Sequence, residues 1–201
     1  DTLAAVEGRL VDMDQAIGAY FFGYGSLVNR DTHTYAPAAA EVIGWRRAWR
    51  HTPLRSLSFL TVRPSPGTVL QGVIAAVPGG DWQALDAREF AYERVGLGAG
   101  IRHDVAAAQE VAIYAIPEGR HQAPTPESPI LLSYLDVVIQ GYFREFGAAG
   151  VANFFATTDG WEAPILNDRD APQYPRHQRL TREEHELVDH WLGEIRAGRL
   201  G

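Results

Sequence analysis

The chain has 201 residues, 46% of them hydrophobic, which suits a single compact core rather than two domains. Its formal net charge of −7 argues against binding a nucleic-acid backbone, which relies on a basic surface. There is no cysteine and all 18 basic residues are arginine, so disulfides, thiol nucleophiles, thiolate metal sites, Schiff-base chemistry, pyridoxal phosphate anchoring and a P-loop lysine are excluded.

Residues 1–16 mix charge with scattered apolar residues and lack the basic-then-apolar order of a secretory signal, although a first residue that is Asp leaves a removed leader open. No apolar run reaches the ~18 residues of a membrane span, and a cytoplasmic protein is expected. The first structural signal is Phe21-Phe22-Gly23-Tyr24-Gly25-Ser26-Leu27, an apolar strand over residues 19–22 running into a glycine-punctuated turn. Glycines permit positive φ and close backbone approach, so the turn suits an anion; an ordinary strand-to-turn connection is the alternative. Further short apolar runs at residues 41–49, 57–62, 69–77 and 110–116, bounded by Pro and Gly clusters, predict strands of a small sheet or barrel.

Between them a helix is expected over residues 81–95. At the 3.6-residue period Glu89 shares a face with Trp82, Leu85 and Tyr92, so a carboxylate interrupts an apolar stripe. Burial would raise its pKa, and Asp86 and Glu93 would push the same way. The competing reading is a solvated acidic face with Phe90 turned inward.

Gly96-Leu97-Gly98-Ala99-Gly100 follows the end of that helix rather than a strand and reads as a flexible connection, not a dinucleotide loop. After a Pro-rich loop over residues 117–129, Ser128 is a candidate N-cap with Pro129 at the first helical position. An apolar, buried helix should then cover residues 130–146 and stop at Gly147. A second Pro-rich connection at residues 161–175 leads to Thr181-Arg182-Glu183-Glu184, a capping box for a last helix that reaches about Arg196 and ends at Gly198. The seven histidines include no helical His-x-x-x-His pair, and His185 and His190 lie five apart on a polar helix, so no metal is expected.

Tyr24-Gly25-Ser26-Leu27 followed some sixty residues later by Leu85-Asp86-Ala87-Arg88-Glu89, with Tyr92 close by, resembles the γ-glutamylcyclotransferase superfamily, its ChaC-type branch in particular. Gly44-Trp45-Arg46-Arg47 and Val69-Leu70-Gln71-Gly72-Val73-Ile74 stand between the motifs as they do in that family. The resemblance covers roughly residues 20–95, with weaker echoes around Tyr114 and Tyr134. It implies an α+β fold, a small mixed, largely antiparallel β-barrel flanked by helices, formed by a core over about residues 20–147 with a C-terminal extension of loop and helix over 148–201.

The same resemblance implies conversion of a small γ-glutamyl peptide or γ-glutamyl amine to 5-oxoproline and free amine, with the α-amine attacking the γ-carbonyl. Glu89 would be general acid and base. The backbone of Gly25, Ser26 and Leu27 would hold the α-carboxylate, with Tyr24 shaping the pocket, and no cofactor would be needed. Tyr92, Tyr114 and Tyr134 are candidate hydrogen-bond donors, and core packing explains each equally well. Arg88 is left as a surface residue.

Two departures leave the substrate open. Val28-Asn29 replaces the Ile-Trp pair that usually follows the turn in glutathione-degrading relatives, and Phe90 or Ala91 stands where a glycine is common. Two other classes remain beside the enzyme: a non-catalytic γ-glutamyl or anion-binding module, and a hydrolase using Ser26, although Ser26 lacks the second glycine of a nucleophile elbow. The oligomeric state is not read from these patterns.

Overall fold

A computed structural model of the chain describes residues 18–198. The segment 1–16, expected to carry no secretory signal, lies outside the described residues. Among the described residues there are nine strands: β1 (Ala19–Gly23), β2 (Ala38–Arg50), β3 (Phe59–Ala76), β4 (Glu93–Gly96), β5 (Ile101–His103), β6 (Glu110–Ala115), β7 (Ile130–Leu131), β8 (Thr158–Asp159) and β9 (Ile165–Leu166). The helices are α1 (Trp82–Arg88), α2 (Leu132–Ala156) and α3 (Arg182–Arg196).

The main sheet runs β4-β6-β1-β3-β2-β5 with β8 added along β2, and β7 and β9 form a separate pair. It is mixed and largely antiparallel: β1 pairs antiparallel with β3 and parallel with β6, while β8 is parallel to β2. The sheet curls into a half-barrel whose path ends at β4 and β5, so the expected α+β barrel architecture appears in an open form.

The two predicted runs at 57–62 and 69–77 are one strand. Trp45 stands opposite Pro64 and Ile43 opposite Val69, so Ser65-Pro66-Gly67-Thr68 bulge out without breaking the ladder. The Ser65 and Thr68 hydroxyls lie 2.8 Å apart across the bulge, and Gly67 takes φ 82°. Proline and glycine thus mark a bulge where their local pattern suggested a break.

Alternation along β1 places Phe22 in the main core with α2 and Phe21 in a smaller cluster with Ala75, Leu85 and Tyr114 under α1. From Leu132 to Tyr142, α2 is buried all round apart from Tyr134. Gly147, at φ 70° and ψ −167°, breaks the helix where expected, after which it resumes to Ala156. Its start differs from expectation. Residues 130 and 131 pair with β9, and the helix is capped from a distance: Asp168 accepts from the Ser133 N–H at 2.8 Å and the Ser133 hydroxyl at 2.5 Å. The Ser128 hydroxyl instead accepts from the Thr125 N–H, closing its own turn.

The capping box is present, with the Thr181 hydroxyl accepting from the Glu184 N–H and Glu184 from the Thr181 N–H. Glu184 also joins α3 to α2 through Gln140 and Arg144. Val151, Phe154, Phe155, Leu180, Val188 and Leu192 share the main core with β1 to β3. No helix among the described residues is long and apolar enough to cross a membrane.

Candidate active site

Beyond β1 the backbone turns through a 3₁₀ segment, Ser26–Val28. Neither Gly23 nor Gly25 has positive φ, contrary to expectation. Glycine is required by crowding instead. A Cβ on Gly23 would lie 2.3 Å from a Leu27 methyl, and one on Gly25 would lie 2.8 Å from the Tyr134 hydroxyl.

Asn29 locks the turn to α2. Its side-chain amide donates to the Val137 carbonyl and the Gln140 side chain, each at 2.9 Å, and its carbonyl oxygen on the side chain accepts from the Asp31 N–H. α2 approaches so closely that a Cβ on Gly141 would meet the Asn29 backbone at 2.6 Å. Asn29 is therefore a positioning residue, and at the head of the polar run Asn29-Arg30-Asp31-Thr32 it carried no distinct local signal.

α1 ends earlier than the periodicity predicts. Glu89 is its C-cap, with its N–H on the Leu85 carbonyl, and its own carbonyl accepts from the Tyr92 N–H at 2.7 Å. The chain then enters β4, which pairs with β6; ladder bonds at the sheet edge outweigh the helical propensity of residues 91–95. The apolar face survives this change. Leu85 is buried, Glu89 and Tyr92 are half-buried against a cavity, and Phe90 is 70% exposed, so the inward-Phe90 reading fails. The Gly96 to Gly100 connection accordingly follows a strand, β4, and leads to another, β5, without the helix that a dinucleotide loop requires.

The cavity, about 360 Å³, gathers every residue singled out from the sequence: Tyr24, Gly25, Ser26, Leu27, Glu89, Tyr92, Tyr114 and Tyr134. A second chamber of about 700 Å³ adjoins it and shares Ser26, Leu60, Arg88, Glu89, Tyr92, Tyr134 and Arg176 with it. Glu89 thus stands on the wall common to both.

Among the described residues the Glu89 carboxylate accepts no hydrogen bond and forms no ion pair. Burial raises its pKa, opposed by the guanidinium groups of Arg88, Arg55 and Arg176. The expected repulsion from Asp86 and Glu93 is not the cause. Asp86 takes the Tyr114 hydroxyl at 2.6 Å and lies 3.5 Å from Arg94, while Glu93 is 3.2 Å from Arg120.

The tyrosines divide by what their hydroxyls do. Tyr24 donates to the Tyr114 carbonyl, Tyr92 to the Leu60 carbonyl and Tyr114 to Asp86. Tyr134 donates to no protein group among the described residues; the Ser26 N–H faces its oxygen and lowers its pKa, while burial raises it. Burial likewise pushes Tyr24, Tyr92 and Tyr114 upward, so all four are neutral phenols.

Arg88, left on the surface by sequence reasoning, lines the cleft and bonds to the Tyr35 hydroxyl at 3.2 Å. Arg176 and Tyr174 from the connection before α3, and Arg55 from the β2–β3 loop, also reach the cleft and carried no local signal. Ser26 has no base. His33 accepts the Tyr35 N–H at Nδ1, so its Nε2 carries the proton, which it donates to the Leu27 carbonyl at 2.7 Å.

No family model matches this sequence, and a search of curated proteins finds no match. Solved structures do. A gamma-glutamyl cyclotransferase aligns at 14% identity with a TM-score of 0.50, over 85% of this chain and 98% of its own. The human protein loc79017 aligns at 14% with a TM-score of 0.52, over 85% and 97%. YkqA of Bacillus subtilis aligns at 14% with a TM-score of 0.54, over 74% of this chain and 56% of its own. The curled mixed sheet, with a turn at the end of β1 facing an acidic residue at the end of α1, is thus built on the γ-glutamyl cyclotransferase fold.

Proposed function

We propose that this chain converts a γ-glutamyl compound to 5-oxoproline and a free amine. The observation that carries this reading is the Glu89 carboxylate, half-buried, without a bonding partner, between two chambers beside the Tyr24–Leu27 turn.

The glutamyl head occupies the smaller chamber. The Gly25, Ser26 and Leu27 N–H groups open a 3₁₀ turn and have no partner inside it, which suits the α-carboxylate. The Ser26 N–H is shared with the Tyr134 oxygen, so Gly25 and Leu27 carry most of that role. Glu89 takes one proton from the α-ammonium, and the freed nitrogen attacks the γ-carbonyl carbon. Transfer from an ammonium of pKa about 8 to an ordinary carboxylate is uphill by about 5 kcal/mol, and each unit by which burial raises the acceptor removes about 1.4 kcal/mol.

Collapse of the tetrahedral intermediate breaks the original C–N bond, and protonated Glu89 returns its proton to the departing nitrogen. The α-nitrogen sheds two protons and the leaving amine gains two, so the reaction needs no net acid or base. Tyr134, whose hydroxyl proton has no other acceptor, is the phenol suited to the developing oxyanion. The Ser26 hydrolase reading is less well supported, because among the described residues no hydrogen bond joins the Ser26 hydroxyl to a base and both nitrogens of His33 are engaged.

A screen of γ-glutamyl compounds for 5-oxoproline release, with Glu89→Gln as control, tests the reading. Turnover in the parent and a loss of about 10²- to 10⁴-fold in the variant are expected. Release from none of the compounds would leave a binding module, and a fully active Glu89→Gln would remove Glu89 from the chemistry.

A further inference from the structure

Tyr134 is the third residue of α2, in a first turn whose N–H groups have no partner inside the helix, and Leu131 at the N-cap position offers them no side-chain acceptor. Such a turn frays unless a group from elsewhere holds it. The Tyr134 hydroxyl nevertheless has a narrowly defined place: the Ser26 N–H faces its oxygen, and even a Cβ on Gly25 would crowd it at 2.8 Å. The group that holds the turn is Asp168, a buried residue of the connection before α3. Its Oδ1 accepts from the Ser133 N–H at 2.8 Å, and its Oδ2 accepts from the Ser133 hydroxyl at 2.5 Å and from the Gln173 N–H at 2.8 Å. One carboxylate thus fixes the residue before Tyr134 and the residue before Tyr174. The Ser133 oxygen in turn accepts from the Tyr174 N–H at 3.3 Å, and the Tyr174 ring meets Tyr134 edge-on with centroids 5.0 Å apart. The Tyr174 hydroxyl has no partner, so that ring is placed by its backbone and its packing. Burial alone would raise the pKa of Asp168, but the bonds from Ser133 and Gln173 outweigh it and hold the carboxyl below its ordinary range, which makes them charge-assisted.

We propose that Asp168 is a positioning residue for the chemistry: by fixing the backbone ahead of both tyrosines, it holds the Tyr134 hydroxyl where the developing oxyanion needs it. The inference rests on the cyclotransferase reading above. Asp168 lines neither chamber, so it acts only through the residues it holds. The connection before α3 thereby becomes part of the catalytic apparatus, since the first turn of α2 receives its acceptor from a residue 35 positions away. A donor displaced by a fraction of an ångström from a developing charge loses much of its value in the transition state while leaving ground-state binding nearly intact.

The test is a double-mutant cycle on 5-oxoproline release, using γ-glutamyl-alanine or whichever γ-glutamyl compound of the screen the parent turns over fastest. The isosteric Asp168→Asn has a single acceptor oxygen, so one of the two backbone N–H groups is left facing an amide nitrogen. It should lower kcat about tenfold in the parent with KM changed less. In Tyr134→Phe, itself about 10²-fold slower, the hydroxyl to be positioned is gone, and the same substitution should cost less than about twofold. A merely structural Asp168 would cost the same factor in both backgrounds, because loss of folded protein does not depend on the Tyr134 hydroxyl. That result, or an unchanged kcat in Asp168→Asn, overturns the inference and leaves the cyclotransferase reading intact. Should Asp168→Asn fail to fold, Ser133→Ala runs the same cycle: it removes the hydroxyl between Asp168 and the Tyr174 N–H, keeps the backbone bonds to Asp168, and should cost about threefold in the parent and nothing in Tyr134→Phe. Release of 5-oxoproline from none of the compounds by the parent overturns both readings.

Discussion

Arg47 and Glu89 both carry charge close to Tyr24, one on β2 behind the turn and the other across the cleft in front of it. Arg47 is fully buried and has no carboxylate partner, yet its donors are used: on the Tyr24 and Gln71 carbonyls at 2.9 Å, on the Thr157 hydroxyl at 2.8 Å and on the Tyr142 hydroxyl at 2.6 Å. The Tyr142 and Phe154 rings lie 5.0 and 4.7 Å from it. Glu89 is less buried but has none of this. Protein dipoles replace the water that Arg47 lost, whereas Glu89 lost water and received no donor in return. A buried charge held by four hydrogen bonds serves to hold the backbone; a half-buried charge with no partner beside a cavity is the one able to exchange a proton.

Removing the buried, hydrogen-bonded charge should produce the largest effect. Arg47→Met leaves the Tyr24 and Gln71 carbonyls to share the single Tyr142 hydroxyl proton and removes the guanidinium from the Thr157 hydroxyl, with an expected loss of about 2–4 kcal/mol in urea unfolding. A variant as stable as the parent would mean that Arg47 does not anchor the turn. Next comes Gly25→Ala, whose Cβ would press on the Tyr134 hydroxyl; kcat/KM for 5-oxoproline release should fall about 10- to 100-fold, a larger change than any in stability.

The raised pKa of Glu89 sharpens the contrast through pH. The base must be ionised, so the acid limb of kcat/KM should lie above the range of an ordinary glutamate, about 4.3, and a limb at that value would contradict a desolvated base. The smallest effect concerns stability. Because the folded-state pKa exceeds the unfolded one, ionised Glu89 weakens the fold as pH rises through the folded value. Glu89→Gln should therefore melt higher than the parent near pH 7, and the difference should vanish below the range where an unfolded glutamate ionises, about pH 4. Arg47→Met must be destabilising at both pH values, since arginine keeps its charge throughout.

Local patterns predicted much of this molecule. The strand ahead of the turn, the capping box at Thr181, the helix break at Gly147 and the stop at Gly198 depend on residues within a few positions of one another, and each is found. The shared face of Leu85, Glu89 and Tyr92 was also legible, although β4 pairing ends the helix early. Asp168 capping α2 was not legible, because cap and helix start are 35 positions apart.

What the sequence determined by itself was most of the longer elements, since helical and strand periods act over neighbouring residues; the pairing of the glycine turn with Glu89 was what the family resemblance implied. Whether Glu89 or Phe90 faces the cavity, and which arginines surround it, was decided only in three dimensions. Both outcomes depend on how separate segments pack, with β4 drawn to β6 and the loops of Arg55 and Arg176 brought to one cleft, and no local period encodes that packing.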